Sequence, residues 1–495
     1  METPFVFGRL AKENNFTDRI EETAHLVTNF KSLINTILIS PRRWGKSSLV
    51  FKAAGIAMKA RTCLWLLCPV LAGLLLAACG KVEVVDIDSP EPPGPEVEEE
   101  APEDWAPTYA EIIRLSSAER NVAKLGNEFG LQVFRSLLDQ DADKDMLFSP
   151  LSLSLNLSLC AGGGVGDTQA EILKVLGFSG LKAEDVASYY QKMLNGLAGE
   201  DPSVKFVSAN SVWVDLPYTL KDAYARYATD HFCADISTLD LKKKESLSRI
   251  NEWCARKTEG LIGRILDDSR DPEVPSASYL VNALYFKGGW APSCPFDPEM
   301  PEGVFHAVEG DRTLTYLTAV HKYSYIETEK AQLVSLPYGN DTYRMVLALP
   351  REGVSIKEML SSFTGESFHT PRQEGDTVTV RIPKFTLDCN TGGALVPALK
   401  SLGMTTAFDG AKANFSGMFA GETPFWIGSI SQASNISLDE KGTEAASVTW
   451  TGLSTSGFDP DYVPASRSFI ADRPFVFALV EMHAQTILML GQKVQ

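Results

Sequence analysis

An α+β domain with an exposed loop near its C-terminus is the fold class this sequence predicts, and two observations point to it. The first is a segment that reads both as a polar loop and as an inner strand: Ser437-Leu438-Asp439-Glu440-Lys441-Gly442-Thr443-Glu444-Ala445-Ala446-Ser447. Gly442 to Ser447 are almost all small, yet they lead into a stretch, 447–451, suited to a strand. In extended backbone Thr443, Ala445, Ser447 and Thr449 share one side, while Glu444, Ala446, Val448 and Trp450 share the other. One face fits a packed sheet and the other tolerates a charge and an indole. No proline occurs from Glu440 to Asp459, so nothing there removes a ladder donor from a central strand. Such a segment is expected to have two conformations. The second observation is a set of six further segments in fixed order along residues 116–495, whose shared pattern is taken up below.

The order of the pieces can be read from the N-terminus. Residues 1–57 hold Ile37-Leu38-Ile39-Ser40-Pro41-Arg42-Arg43-Trp44-Gly45-Lys46-Ser47-Ser48, a strand pattern running into a phosphate-loop pattern. In that pattern Gly45 belongs to the cradle, Lys46 serves β/γ-phosphates and Ser47 serves Mg²⁺. With Pro4-Phe5-Val6-Phe7-Gly8-Arg9 it resembles the opening of bacterial P-loop ATPases, although Ser40 replaces the first glycine. A secretory signal begins only ten residues later, so the fragment is expected to be a truncated or chimeric gene start and not a working nucleotide site. Residues 58–79 have a methionine, two basic residues, an apolar core and small residues before Cys79, which is the layout of a secretory signal. Leu76-Ala77-Ala78-Cys79 resembles a bacterial lipobox, which implies lipidation of Cys79 and a membrane partner through that anchor. The uncharged run is near the short end of the ~17–25 residues a spanning helix needs. Residues 80–115 are rich in proline and acid and lack apolar periodicity, so an extended, self-repelling linker is expected.

Composition bounds the rest. Hydrophobic content of 44% is globular, and a net charge of −17 argues against nucleic acid as a partner. The eight cysteines show no zinc spacing and no disulfide framework, so Cys160 and Cys254 are expected to be buried thiols. Six scattered histidines and the lack of a G-x-S-x-G motif offer no hydrolase triad, so no enzyme, cofactor or metal is expected.

Residues 116–495 resemble the serpin family. The Glu-Lys-Gly-Thr-Glu-Ala-Ala run matches the hinge of that family's reactive loop: Glu440, Gly442, Thr443, Glu444, Ala445, Ala446 and Ser447 are its members here. Met146-Leu147-Phe148-Ser149-Pro150-Leu151-Ser152 comes first among the ordered segments, then Ala161-Gly162-Gly163-Gly164 with Asp167-Thr168-Gln169-Ala170-Glu171-Ile172. Ile250-Asn251-Glu252-Trp253 with Thr258-Glu259-Gly260 follows, then 281–290 from Val281 to Trp290. Arg381-Ile382-Pro383-Lys384-Phe385 and the ending 487–494 complete the series. The resemblance implies a serpin fold: a helical cluster with three β-sheets, one of them large and central, and an exposed reactive loop.

It also implies a monomeric inhibitor of serine proteases that works by suicide trapping. After the protease cuts the loop, the hinge side inserts as a central strand and carries the acyl-enzyme with it. About sixteen residues at ~3.3 Å each give ~50 Å of travel. Ser149, Ser152 and Asn282 match family positions beneath the opening strands, Trp290 matches the tryptophan where insertion begins, and Arg381 stands where some members have a histidine in this region. Counting from Glu440 places the reactive bond at Ser456-Gly457; counting back from Arg473-Pro474 places it near Val463-Pro464. Leu453 to Ser456 suit elastase-like, subtilisin-like or papain-like cysteine proteases, and Phe458 suits a chymotrypsin-like cut. The bacterial cell envelope, with the domain facing outward, is the expected location. Two other functions compete: a non-inhibitory serpin acting as a binding module, and a P-loop nucleotide-binding protein.

Overall fold

The computed structural model describes residues 112–260, 262–269, 271, 277–297, 301–369, 376–391, 393–421, 425–430, 432–443 and 467–495, and two strands in a separate unit. Those strands, β1 (Asn35–Ile39) and β2 (Val82–Asp86), pair in parallel. Strand β1 falls where the sequence reads as a strand. Strand β2 lies within residues 80–115, where Val82, Val84 and Val85 are β-branched residues suited to a ladder.

The linker ends earlier than 115. Ile113 and Leu115 are buried in the core of the larger unit, and the Ile113 amide donates to Glu200 Oε1 at 2.7 Å. Helix α1 (Ser117–Gln140) then starts on a capping box: Ser116 Oγ accepts from the Glu119 amide, and the Glu119 carboxylate accepts from the Ser116 amide. Strand β3 (Met146–Phe148) leads into α2 (Pro150–Gly163), which is capped by Ser149, has proline at its first position, and is buried along nearly its whole length. Helices α3 (Asp167–Val175) and α4 (Ala183–Gly196) follow and join α1 and α2 in one helical cluster.

The chain then alternates between sheet and helix through β4 (Val204–Asp215), α5 (Asp222–Phe232), β5 (Ala234–Leu239), α6 (Lys244–Lys257) and β6 (Ser278–Gly289). Next come β7 (Glu302–Ala307), β8 (Gly310–Glu327), β9 (Ala331–Pro337), β10 (Tyr343–Pro350) and the short α7 (Ile356–Ser361). Strands β11 (Asp376–Pro383) and β12 (Phe385–Asn390) precede α8 (Leu395–Ser401). The chain closes with β13 (Ala433–Asp439), β14 (Gly442–Thr443), β15 (Arg467–Ile470), β16 (Phe475–Glu481) and β17 (Thr486–Lys493).

Two sheets result in this unit. One is six-stranded, in the order β12-β13-β14-β6-β4-β5, and antiparallel except for β4 with β5. The other has nine strands, with β15-β11-β8-β9-β10-β16-β17-β3 in line and β7 on β8. The architecture is α+β. Where three sheets were expected, the two smaller ones run together, because the 18-residue β8 pairs with β7 and β11 early and with β9 at its end. Strands β10, β16 and β17 are buried at every residue and form the centre of the core, with helix α2 lying against both β17 and β6.

Candidate functional site at the head of the six-stranded sheet

The two-conformation segment sits where β13 turns back. Asp439 Oδ1 accepts from the amides of Lys441, at 2.8 Å, and Gly442, at 3.1 Å, and this makes the turn. The next two residues enter between two strands. Thr443 pairs with Leu438 of β13 on one side and Gly288 of β6 on the other, both antiparallel. Among the described residues no ladder joins β6 directly to β13, so β14 alone connects them.

Gly442 is required for this entry. Its φ of +141° suits glycine, and a Cβ there would stand 2.1 Å from the Gly288 carbonyl oxygen. Thr443 follows with its side chain buried, its Oγ1 hydrogen-bonded to the Tyr338 hydroxyl at 2.5 Å. Tyr338 is wedged between Trp290, stacked at 4.5 Å, and Phe286, edge-on at 5.1 Å. Burial raises the Tyr338 phenol above its ordinary pKa, so it stays a neutral partner. Trp290 Nε1 donates to the Asp439 carbonyl at 2.9 Å, and the Trp290 amide donates to the Lys441 carbonyl. Lys384 pairs with Glu440 at 2.9 Å, and this hydrogen bond holds the Glu440 carboxyl below its usual range.

Just past Thr443 lies a cleft lined by Leu284, Tyr285 and Phe286 of β6, Asn435, Ile436 and Ser437 of β13, and Ile262. Residues 444–466 lie outside the described residues, and with them the expected Glu444, Ala445, Ala446, Ser447, Ser456 and Gly457; so do Gly45, Lys46, Ser47 and Cys79.

Ser149 and Ser152 lie at the head of α2, and Asn282 lies on β6. Asn282 Nδ2 donates to Asn210 Oδ1 at 2.6 Å, while Asn282 Oδ1 and Ser152 Oγ are buried without a hydrogen-bond partner. A buried polar group left without a partner costs about 1–3 kcal/mol. Arg381 does not belong here. It lies on β11 of the nine-stranded sheet, with its guanidinium 4.4 Å from the centre of the Tyr316 ring. The side chain bonded to Ser149 is that of Gln432, which the sequence reading did not single out. Its Oε1 accepts from the Ser149 amide at 2.7 Å and its Nε2 donates to the Ser149 carbonyl at 3.2 Å. Its position just before β13 was the available signal.

Of the other expectations, Cys254 is buried and free and Cys160 is half-buried, while Cys233 is free and exposed. Among the described residues no helix is long and apolar enough to cross a membrane.

The architecture and the segment at its head share one known pattern. Residues 124–495 match the sequence model described as "Serpin (serine protease inhibitor)". The chain belongs to the serpin family. Serpins are typically protease inhibitors and not enzymes. A "Serine protease inhibitor" of Cyanea capillata is 31% identical over 385 residues, covering 75% of this chain and 97% of that one. Human "Serpin B8" is 28% identical over 384 residues, covering 75% and 98%. The crystal structure of the thermophilic serpin tengpin in its native state superposes with a TM-score of 0.68 at 27% identity, covering 77% of this chain and 95% of that one.

Proposed function

We propose that this serpin inhibits serine-type endopeptidases by suicide trapping, with papain-like cysteine proteases as a second target class. The observation that carries the reading is the register of β14. If the pairing of Thr443 with Leu438 and Gly288 is continued, Ala445 falls opposite Ile436 and Phe286, and Ser447 opposite Ser434 and Leu284. Ile436, Ser434, Phe286 and Leu284 are buried. The small residues of the loop are therefore the ones that would face the core, and Glu444 and Ala446 would face out. Thr449 would arrive opposite Asn282, whose spare Oδ1 is an acceptor for a hydroxyl.

The protease would cut at Ser456-Gly457, acylate itself on the hinge side, and be carried along the sheet as the cleft between β6 and β13 fills. Residues 58–78 would be removed and the domain held on lipidated Cys79 in a bacterial envelope, with no role for 1–57. Cys79→Ser should release the protein from membranes; unchanged anchoring would overturn that part of the reading.

The trapping itself is tested with a panel of elastase-, subtilisin-, chymotrypsin- and papain-like proteases. The expected result is a covalent, denaturant-resistant complex and a released C-terminal peptide whose mass places the cut within 455–458. Thr443→Arg puts a long charge on the buried face, at a cost of several kcal/mol. It should be cut at the same bond and form no complex. Failure of the parent to form a complex with any protease, or trapping by Thr443→Arg equal to the parent's, would overturn the assignment.

A further inference from the structure

A second cluster lies away from the loop, where the α4–β4 connection meets the turn between β16 and β17. Glu200 and Glu481 are fully buried there, and His483 stands beside them with 24% of its side chain exposed. One donor atom from each lies within 4.8 Å of the other two. The carboxylates also accept backbone amides: Glu200 Oε1 from Ile113 at 2.7 Å, Glu481 Oε2 from Ala484 at 2.7 Å and Glu481 Oε1 from His483, which leaves one lone pair on each of these oxygens. Glu200 Oε2 is buried with no hydrogen-bond partner, and so is His483 Nδ1.

The spacing around that nitrogen decides what the cluster suits. His483 Nδ1 is 3.4 Å from Glu481 Oε1 and 3.6 Å from Glu200 Oε1. A charge-assisted N–H···O hydrogen bond would close to about 2.7–2.9 Å. Ligands at about 2.0–2.1 Å from a tetrahedral zinc ion stand about 3.3–3.4 Å apart. His483 therefore stands at ion-pair distance from both carboxylates, longer than a closed hydrogen bond and close to the separation that one small divalent ion imposes.

We propose that Glu200, Glu481 and His483 form a zinc site, with the fourth position open to water on the exposed side of His483. Two carboxylates and an imidazole supply a donor set suited to zinc, and the ion would take the place of the His483 proton in balancing the two buried carboxylates. The site would bind three separate stretches of chain: the lead into α1 through Ile113 and Glu200, the α4–β4 connection, and the β16–β17 turn. Its role would be to hold these together, independently of the loop.

The test uses the full-length protein, stripped with a chelator and titrated with zinc chloride by calorimetry, with cobalt(II) as a spectroscopic probe. The expected result is one equivalent of zinc bound, a higher thermal midpoint, and cobalt absorption of four-coordinate strength. His483→Gln should weaken binding by about 100-fold or more, since even outer partners of a metal ligand are worth 10–100-fold. Glu200→Gln keeps an acceptor for the Ile113 amide and should weaken zinc as strongly, so it serves if His483→Gln fails to fold. Absence of stoichiometric zinc binding by the parent, or binding that survives in whichever of the two variants folds, would overturn the site.

Discussion

Gly442 is the residue on which the head of the sheet turns. Its φ of +141° and the 2.1 Å approach of a would-be Cβ to the Gly288 carbonyl oxygen leave no room for a side chain. Gly442→Ala should cost about 1–3 kcal/mol from backbone strain alone, more if the carbonyl must move. The strain is relieved by withdrawing β14 from between β13 and β6, so the variant should lose the Thr443–Tyr338 hydrogen bond as well. Chemical denaturation and the stoichiometry of inhibition measure the two consequences: a lower midpoint, and more loop cut per protease trapped. Unchanged values in both would show that β14 is not held by this glycine. The sequence made the small-residue face of this segment legible because alternation in an extended chain is a local property. It did not reveal Tyr338, since a partner 105 residues away leaves no trace in local spacing.

At the scale of elements, the junction between α2 and β13 rests on Gln432. Its amide makes two hydrogen bonds to the backbone of Ser149, the N-cap of α2, and so ties a helix to the strand before which Gln432 lies. Gln432→Leu keeps much of the volume and removes both bonds, leaving the buried Ser149 N–H unmet, while the Ser149 carbonyl keeps its bond from the Leu153 amide. The expected loss is about 1–3 kcal/mol for the amide left unsatisfied. It should appear as a lower urea midpoint with an unchanged slope, because the surface exposed on unfolding is the same. A midpoint equal to the parent's would mean that water replaces the amide. The placement of Arg381 shows why this element was missed. Its motif could be recognised, but only strand pairing reveals that β11 belongs to a different sheet from β13. Ser149, Ser152, Asn282 and Trp290 could be singled out because each sits in a run of distinctive neighbours. Gln432 stands in a polar stretch with nothing to single it out.

For the whole molecule, two buried groups make stability fall with acid in separate windows. Burial holds His369 down to about 4 from an ordinary value of 6.5. The folded state therefore refuses a proton that the unfolded chain accepts. Its contribution is complete above 6.5 and is lost as pH falls through about 4. Burial acts against ionisation at Glu119 too, but hydrogen bonds from Lys192, Ser188 and the Ser116 backbone outweigh it and hold the carboxyl at about 2. Its contribution is complete above 4.5 and is lost as pH falls through about 2. The first loss should come from His369, which lies between α7 and β11 and has neither ring nitrogen hydrogen-bonded to a partner. His369→Gln cannot gain the charge. Between pH 7 and pH 4.5 the parent should lose about 1–3 kcal/mol more than this variant, since one pKa unit is worth about 1.4 kcal/mol. Below pH 4 the two curves should run parallel, because Glu119 is common to both. Urea unfolding at a series of pH values measures the difference directly. If parent and variant lose stability equally from pH 7 to 4.5, the first window belongs to another group, and His369 is protonated as readily in the fold as out of it.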